Sequence, residues 1–250
     1  MASFDFRPRS NTELLDASVE FVRTHFGILA APLALAQIPL LAISLAWPPS
    51  LSDPFLRLRQ QPLLAVALSL AAIWVQAVQS VAFVHIVDDI MHGRAASLAS
   101  ALTRALSRGM SALLMVVVCY IVFILWAMLF LIPVIWAIAR YFATFPAFTI
   151  EGLGPFAAIR RSKQLAKGNN GRAIALALVP TLVIVVVMAL VQQGLLGAGA
   201  GYAVTRVVSA VLSIVLYPFA LAPGIFLYYD LRTRREGLDL DFGTVPPAAA

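Results

Sequence analysis

Six apolar runs dominate the chain, at residues 27–47, 62–87, 110–131, 133–150, 172–196 and 202–229. A helix needs about 20 apolar residues to cross a bilayer's hydrocarbon core, so each run predicts a transmembrane helix. The third and fourth runs are nearly continuous from Met110 to Ile150. Only Leu131-Ile132-Pro133 interrupts them, so this stretch reads as a tight hairpin or as one long kinked helix. Pro133 suits a turn because it cannot extend a helical hydrogen-bond ladder.

The polar stretches before the odd-numbered runs carry helical periodicity of their own. Residues 11–26 place Glu13, Asp16 and Glu20 on one face and Leu15, Val19 and Val22 on the other, with Asn11 as the expected N-cap. Residues 97–108 oppose Leu98, Leu102 and Ala105 to Arg104 and Arg108. Residues 155–167 oppose Phe156, Ile159 and Leu165 to Arg160, Lys163 and Lys167, and Pro155 suits a first helical turn. The pattern is surface helix, span, span, three times over. Same-sense repeats with an even number of spans imply a pseudo-threefold axis along the membrane normal. The expected fold is all-α: six transmembrane and three interfacial helices in one membrane domain, residues 11–241. Residues 1–10 and a disordered 242–250 are expected to be tails.

Charge fixes the expected orientation. In the six-span reading one side holds 14 basic residues, including Arg94, Arg104, Arg108, Arg160, Arg161, Lys163, Lys167, Arg172 and Arg232–Arg235. The other side holds only Arg57 and Arg59, while Arg140 and Arg206 fall in or near spans. Five spans would carry the last two basic clusters to opposite faces and erase the bias. The positive-inside rule therefore favours six spans with both termini cytoplasmic, in an inner membrane.

Composition removes other classes. The chain has 250 residues, 61% of them hydrophobic and 12% charged, against about 25% charged in soluble domains. The net charge of +6 comes from Arg and Lys lying between apolar runs, which is a topology signal and not a nucleic-acid footprint. Cys119 is the sole cysteine, so no intramolecular disulfide forms. Glu13, Asp16, Glu20 and Arg23 precede the first apolar run, so no cleavable signal is expected there.

Two stretches are more specific. One is Glu151-Gly152-Leu153-Gly154-Pro155-Phe156-Ala157-Ala158-Ile159-Arg160-Arg161-Ser162, continuing to Lys167-Gly168. The other is Tyr228-Tyr229-Asp230-Leu231-Arg232, continuing through Glu236-Gly237-Leu238-Asp239. Together with Gly93-Arg94 they resemble bacterial six-span proteins of the glycerophosphoryl diester phosphodiesterase membrane-domain and YciC-like type. That resemblance implies the fold and the membrane. Some such proteins join this part to a phosphodiesterase barrel. No barrel sequence is present here, so the resemblance implies no such activity. Physically, Gly93, Gly152 and Gly154 suit sharp turns from span to surface helix, and Gly168 suits a helix end.

Candidate chemistry is sparse. His85, Asp88, Asp89 and His92 share a helical face at i, i+3, i+4 and i+7 and form a weak metal candidate. The alternative is the polar end of a span reaching the headgroups. No nucleophile elbow, phosphate loop or metalloprotease motif occurs, so no enzyme and no cofactor are expected. Acids recur at the inner ends of the even spans, at Asp88, Asp89, Glu151 and Asp230, beside Arg160, Arg161 and Arg234. They predict an inner-face ion-pair network. Arg140 stands seven residues into its span, about 10 Å from the outer end at ~1.5 Å per residue. Such a cation costs at least about 2.5–3.5 kcal/mol to insert. Freed carbonyls near helix-breaking prolines, or an anionic ligand, are its two expected partners. Arg206 and Gln76 join it as ligand-site candidates.

The expected function is a non-enzymatic inner-membrane protein that handles or senses lipid or scaffolds a membrane process. Its expected partners are anionic headgroups and a cytoplasmic or membrane protein. A small-solute or lipid transporter with a polar cleft at Arg140 is the second reading. A membrane-embedded enzyme using the His85–His92 face is the third.

Overall fold

A computed structural model describes residues 8–45, 54–129 and 131–237. Among them the chain is helical, with turns between helices and no strand. The helices are α1 (Asn11–Thr24), α2 (Phe26–Leu45), α3 (Pro54–Gln60), α4 (Pro62–Met91), α5 (Leu98–Ser107), α6 (Gly109–Leu129), α7 (Leu131–Tyr141) and α8 (Thr144–Ile150). There follow α9 (Pro155–Ala166), α10 (Asn170–Ala173), a π-helical turn at Ile174–Leu178, α11 (Val179–Gly197) and α12 (Tyr202–Glu236). Among the described residues five helices are long and apolar enough to cross a membrane: α2, α4, α6, the α10–α11 rod and α12.

The run at 133–150 departs from a single span. It is broken into α7 and α8 at Phe142–Ala143. Pro146 has no N–H for the carbonyl of Phe142, and its ring crowds that carbonyl, so α7 cannot propagate through it. Pro146 instead falls in the first turn of α8. Residues 131–133, expected as a turn, open α7, and Pro133 lies in its first turn. The same physics acts at Pro180, which sits at the start of α11, directly after the π-helical turn.

α4 and α12 form the centre. Both pack on α2, α4 also takes α5, α6 and α8, and α12 takes α1 and α11. The core between them is tight at one end of the bundle. Phe83, Phe148, Phe226, Tyr228 and Tyr229 are all buried there. After α4 and α8 the chain passes through Gly93 at φ 67° and Gly152 at φ 65°, a backbone region that disfavours a Cβ.

α1, α5 and α9 are helices where amphipathic segments were expected, with local corrections. Ser10, and not Asn11, caps α1. Its side chain accepts from the Glu13 N–H while Glu13 returns a bond to the Ser10 N–H. In α9 the buried residues are Ala158, Ile159, Ser162, Leu165 and Ala166. Phe156, expected on that face, is exposed. α3 was not anticipated from the apolar pattern because seven residues carry too little periodicity. The expected tails lie largely outside the described residues, as do Leu238, Asp239 and Leu240 of the second motif.

Candidate functional site

Asp88, Asp89, Glu151 and Asp230 gather into a belt at the tightly packed end of the bundle. Three consecutive residues of α12 organise it. The Tyr228 hydroxyl donates to Glu151 Oε1 at 2.7 Å, at the end of α8. The Tyr229 hydroxyl donates to Asp88 Oδ1, at the end of α4. Asp230 accepts from the Arg9 backbone N–H at 2.8 Å, from Arg172 Nη2 at 2.8 Å and from Arg234 Nε at 2.8 Å. One turn of α12 therefore grips the end of α4, the end of α8, the start of α10 and the segment before α1.

Each acid is further tied to basic residues. Asp88 meets Arg94 Nη2 at 2.5 Å, and Asp89 pairs with Arg94 Nε at 2.9 Å and with Arg104 of α5. Glu151 takes Arg161 Nε on both oxygens at 2.9 Å. Glu236 bridges Arg161 and Arg232. Arg172 and Arg234 also donate to the Arg9 carbonyl, at 2.9 and 2.8 Å. Asp230 is 1% exposed at its side chain, so this pairing is nearly dry. A buried carboxylate is tolerated only when paired and hydrogen-bonded, and Asp230 meets both conditions.

Arginines also cap helix ends. Arg108 donates to the carbonyls of Phe148 at 2.6 Å, Gly152 at 3.2 Å and Leu153 at 2.5 Å, and its guanidinium lies 4.1 Å from the Phe148 ring centre. Arg235 donates to the carbonyls of Gln164 and Lys167 at the end of α9. Cations at helix C-termini complement the helix dipole and satisfy its orphan carbonyls.

Not every expected member belongs to the belt. Arg160 is exposed and makes no ion pair among the described residues, because α9 turns positions 158, 159 and 162 inward. Ser162 takes an unexpected role. It is fully buried, donates to the Arg140 carbonyl at 2.9 Å and accepts from the Ala143 N–H at 3.1 Å. It thereby satisfies two backbone groups at the α7–α8 break. The Arg-Ser pair in the first motif and the Tyr-Tyr pair before Asp230 were the signals for these roles. Neither spacing nor composition distinguished them.

The His85–His92 face is not arranged for a metal. The Asp88 and Asp89 oxygens are directed at arginines and Tyr229, and no group of three potential ligands converges among the described residues. His92 Nδ1 lies 3.1 Å from Asp88 Oδ1, and this bond raises the His92 pKa above its ordinary 6.5.

The ligand-site candidates separate. Gln76 and Arg206 line one cleft at the bundle end remote from the belt, together with Arg57. Arg140 is not part of it. In α7, Ala137 and Ala139 point into the core and Arg140 is left exposed outside. Its backbone carbonyl accepts from Ser162 of α9, outside the cleft that Gln76 and Arg206 line. No family model matches the chain, and no curated protein or solved structure matches it.

Proposed function

We propose that the protein is a six-span, non-enzymatic inner-membrane protein that scaffolds or organises lipid at the cytoplasmic face. In this reading α7 and α8 together make up the sixth crossing, interrupted at Phe142–Ala143. The belt is the observation that carries this reading. Tyr228, Tyr229 and Asp230 hold the ends of α4, α8 and α12 together. An even number of crossings between those ends is the topology that brings them to one face. The positive-inside rule makes that face cytoplasmic. The acid-then-Arg pairing of Asp89 with α5 and Glu151 with α9 supports the repeated unit. In the third unit Asp230 pairs instead with Arg172, Arg234 and the segment before α1. The resemblance to the glycerophosphoryl diester phosphodiesterase membrane-domain and YciC-like proteins fits the same picture.

Once the belt arginines are committed to carboxylates and carbonyls, Arg160, Lys163 and Lys167 remain as an exposed basic face on α9. Each is worth roughly 1 kcal/mol against an anionic surface. The test is lipid retention by the full-length protein. Changing all three to Gln should reduce co-purifying phosphatidylglycerol relative to phosphatidylcholine, and added salt should mimic the change. Unchanged retention at low salt would overturn the lipid-organising role. A transporter is the second reading, favoured by the cleft at Gln76 and Arg206. Against it, buried aromatics fill the belt end of the bundle.

A further inference from the structure

The cleft remote from the belt contains two arginines, Arg57 of α3 and Arg206 of α12. It opens between α2, α4 and α12, with a volume of about 370 Å³. The α12 wall carries Arg206, Ser209, Ser213 and Tyr217. Those positions are i, i+3, i+7 and i+11, one face of a helix, and they run about 16 Å along it at ~1.5 Å per residue. Gln76 of α4 and Gln37 of α2 face them across the opening. The Ser213 hydroxyl already donates to the Ala210 carbonyl at 2.7 Å, so the open demand of this wall lies at Arg206.

The charged side chains in the described lining are cationic. No carboxylate lines the cleft among the described residues. Arg206 is half-buried, and its Nε has no hydrogen-bond acceptor among them. The Tyr202 ring lies 5.5 Å from its guanidinium carbon, and the Tyr202 hydroxyl is itself fixed by donating to the Ser44 carbonyl at 3.0 Å. The ring thus orients the guanidinium without neutralising it. A planar fork of N–H donors beside amide and hydroxyl groups, with no acid among the described residues, is a donor set for a phosphate.

We propose that this cleft binds a single phosphate group, gripped by Arg206. The phosphate belongs either to an anionic lipid headgroup entering from the remote leaflet or to a free solute. This site is independent of the basic α9 face and stands or falls without it.

The experiment uses the full-length protein in zwitterionic nanodiscs with two probes. One is inorganic phosphate, read by thermal stabilisation. The other is phosphatidylglycerol, read by native mass spectrometry. At least one probe should bind the wild type. Arg206→Met should weaken that binding about tenfold or more, the usual scale for a lost charge-assisted bond. Arg206→Lys should weaken it less, because an ammonium cannot make the paired contact. Ser209→Leu should also abolish it by filling the cleft while leaving the cation in place, and it decides the matter if Arg206→Met does not fold. Binding of phosphate alone identifies a solute site, and binding of phosphatidylglycerol alone identifies a lipid site. The Arg160, Lys163 and Lys167 triple substitution should leave the Arg206-dependent component unchanged. If neither probe binds, or if Arg206→Met and Ser209→Leu bind as the wild type does, the proposal is overturned.

Discussion

At the level of single residues, the belt ranks its members by how completely each is shielded and how many partners it holds. Asp230 is nearly dry and accepts from Arg9, Arg172 and Arg234. Asp230→Asn would leave two guanidinium groups without their anion. Those groups are partly exposed, so the expected loss is about 2–4 kcal/mol, at or below the usual range for breaking a buried pair. Tyr229→Phe removes a single donor from Asp88, which keeps Arg94 and His92. Its expected cost is about 1 kcal/mol. Unfolding midpoints in detergent should therefore fall further for Asp230→Asn than for Tyr229→Phe, and the reverse order would refute this ranking. His92 adds a pH dependence with a definite sign. Asp88 raises its pKa in the folded protein above the ordinary 6.5. Its stabilising effect is then complete below about pH 6.5 and is lost as pH rises through the higher folded value. The stability difference between wild type and His92→Gln should shrink on going from pH 6 towards pH 9. A difference that stays constant would remove His92 from the network.

Among the helices, the break between α7 and α8 is held by a neighbour. Ser162 on α9 satisfies both the Arg140 carbonyl and the Ala143 N–H. Ser162→Ala leaves the buried Ala143 N–H and the part-buried Arg140 carbonyl without this partner, with an expected cost of about 1–3 kcal/mol. Ser162→Thr keeps the hydroxyl but adds a methyl to a fully buried position, so it separates the polar effect from packing. Equal unfolding midpoints for wild type and Ser162→Ala would show that water replaces the hydroxyl there. Much of the helical layout was legible beforehand. Long apolar runs locate α2, α4, α6, α11 and α12 to within a few residues at most ends, because length and hydropathy alone decide membrane crossing. The exception is α12, which runs on to Glu236. Its last turns are polar and are stabilised by Arg232–Glu236 and Arg234–Asp230 pairs that an apolar count ignores. The break at Phe142 was hidden for the opposite reason. Residues on both sides of it are apolar, and only the missing N–H of Pro146 marks it. Arg140 falls two residues before that break and outside the cleft that Gln76 and Arg206 line.

For the whole molecule, the candidate belt acids were visible as a pattern of charges at span ends, but their mutual contacts were not. Asp88, Glu151 and Asp230 are 63 and 79 positions apart, and no local spacing rule reaches that far. What joins them is topology, and topology is where the decisive measurement lies. In a six-span chain, Arg59 on α3 and Lys163 on α9 lie on opposite sides of the membrane, and both are exposed. Single cysteines at these two positions, introduced in a Cys119→Ala background, should react with a membrane-impermeant maleimide from opposite sides of oriented vesicles. A third cysteine at Arg235, also exposed at the belt, should match Lys163. If α7 and α8 did not cross together, the chain from α9 onward would be inverted. Lys163 would then label with Arg59, and the Glu151–Tyr228 and Asp88–Tyr229 contacts could not both form at one face. Same-side labelling of Arg59 and Lys163 would thus overturn the six-span topology and the cytoplasmic belt together. Opposite labelling with Arg235 alongside Lys163 is the result that the three-way grip of Tyr228, Tyr229 and Asp230 requires.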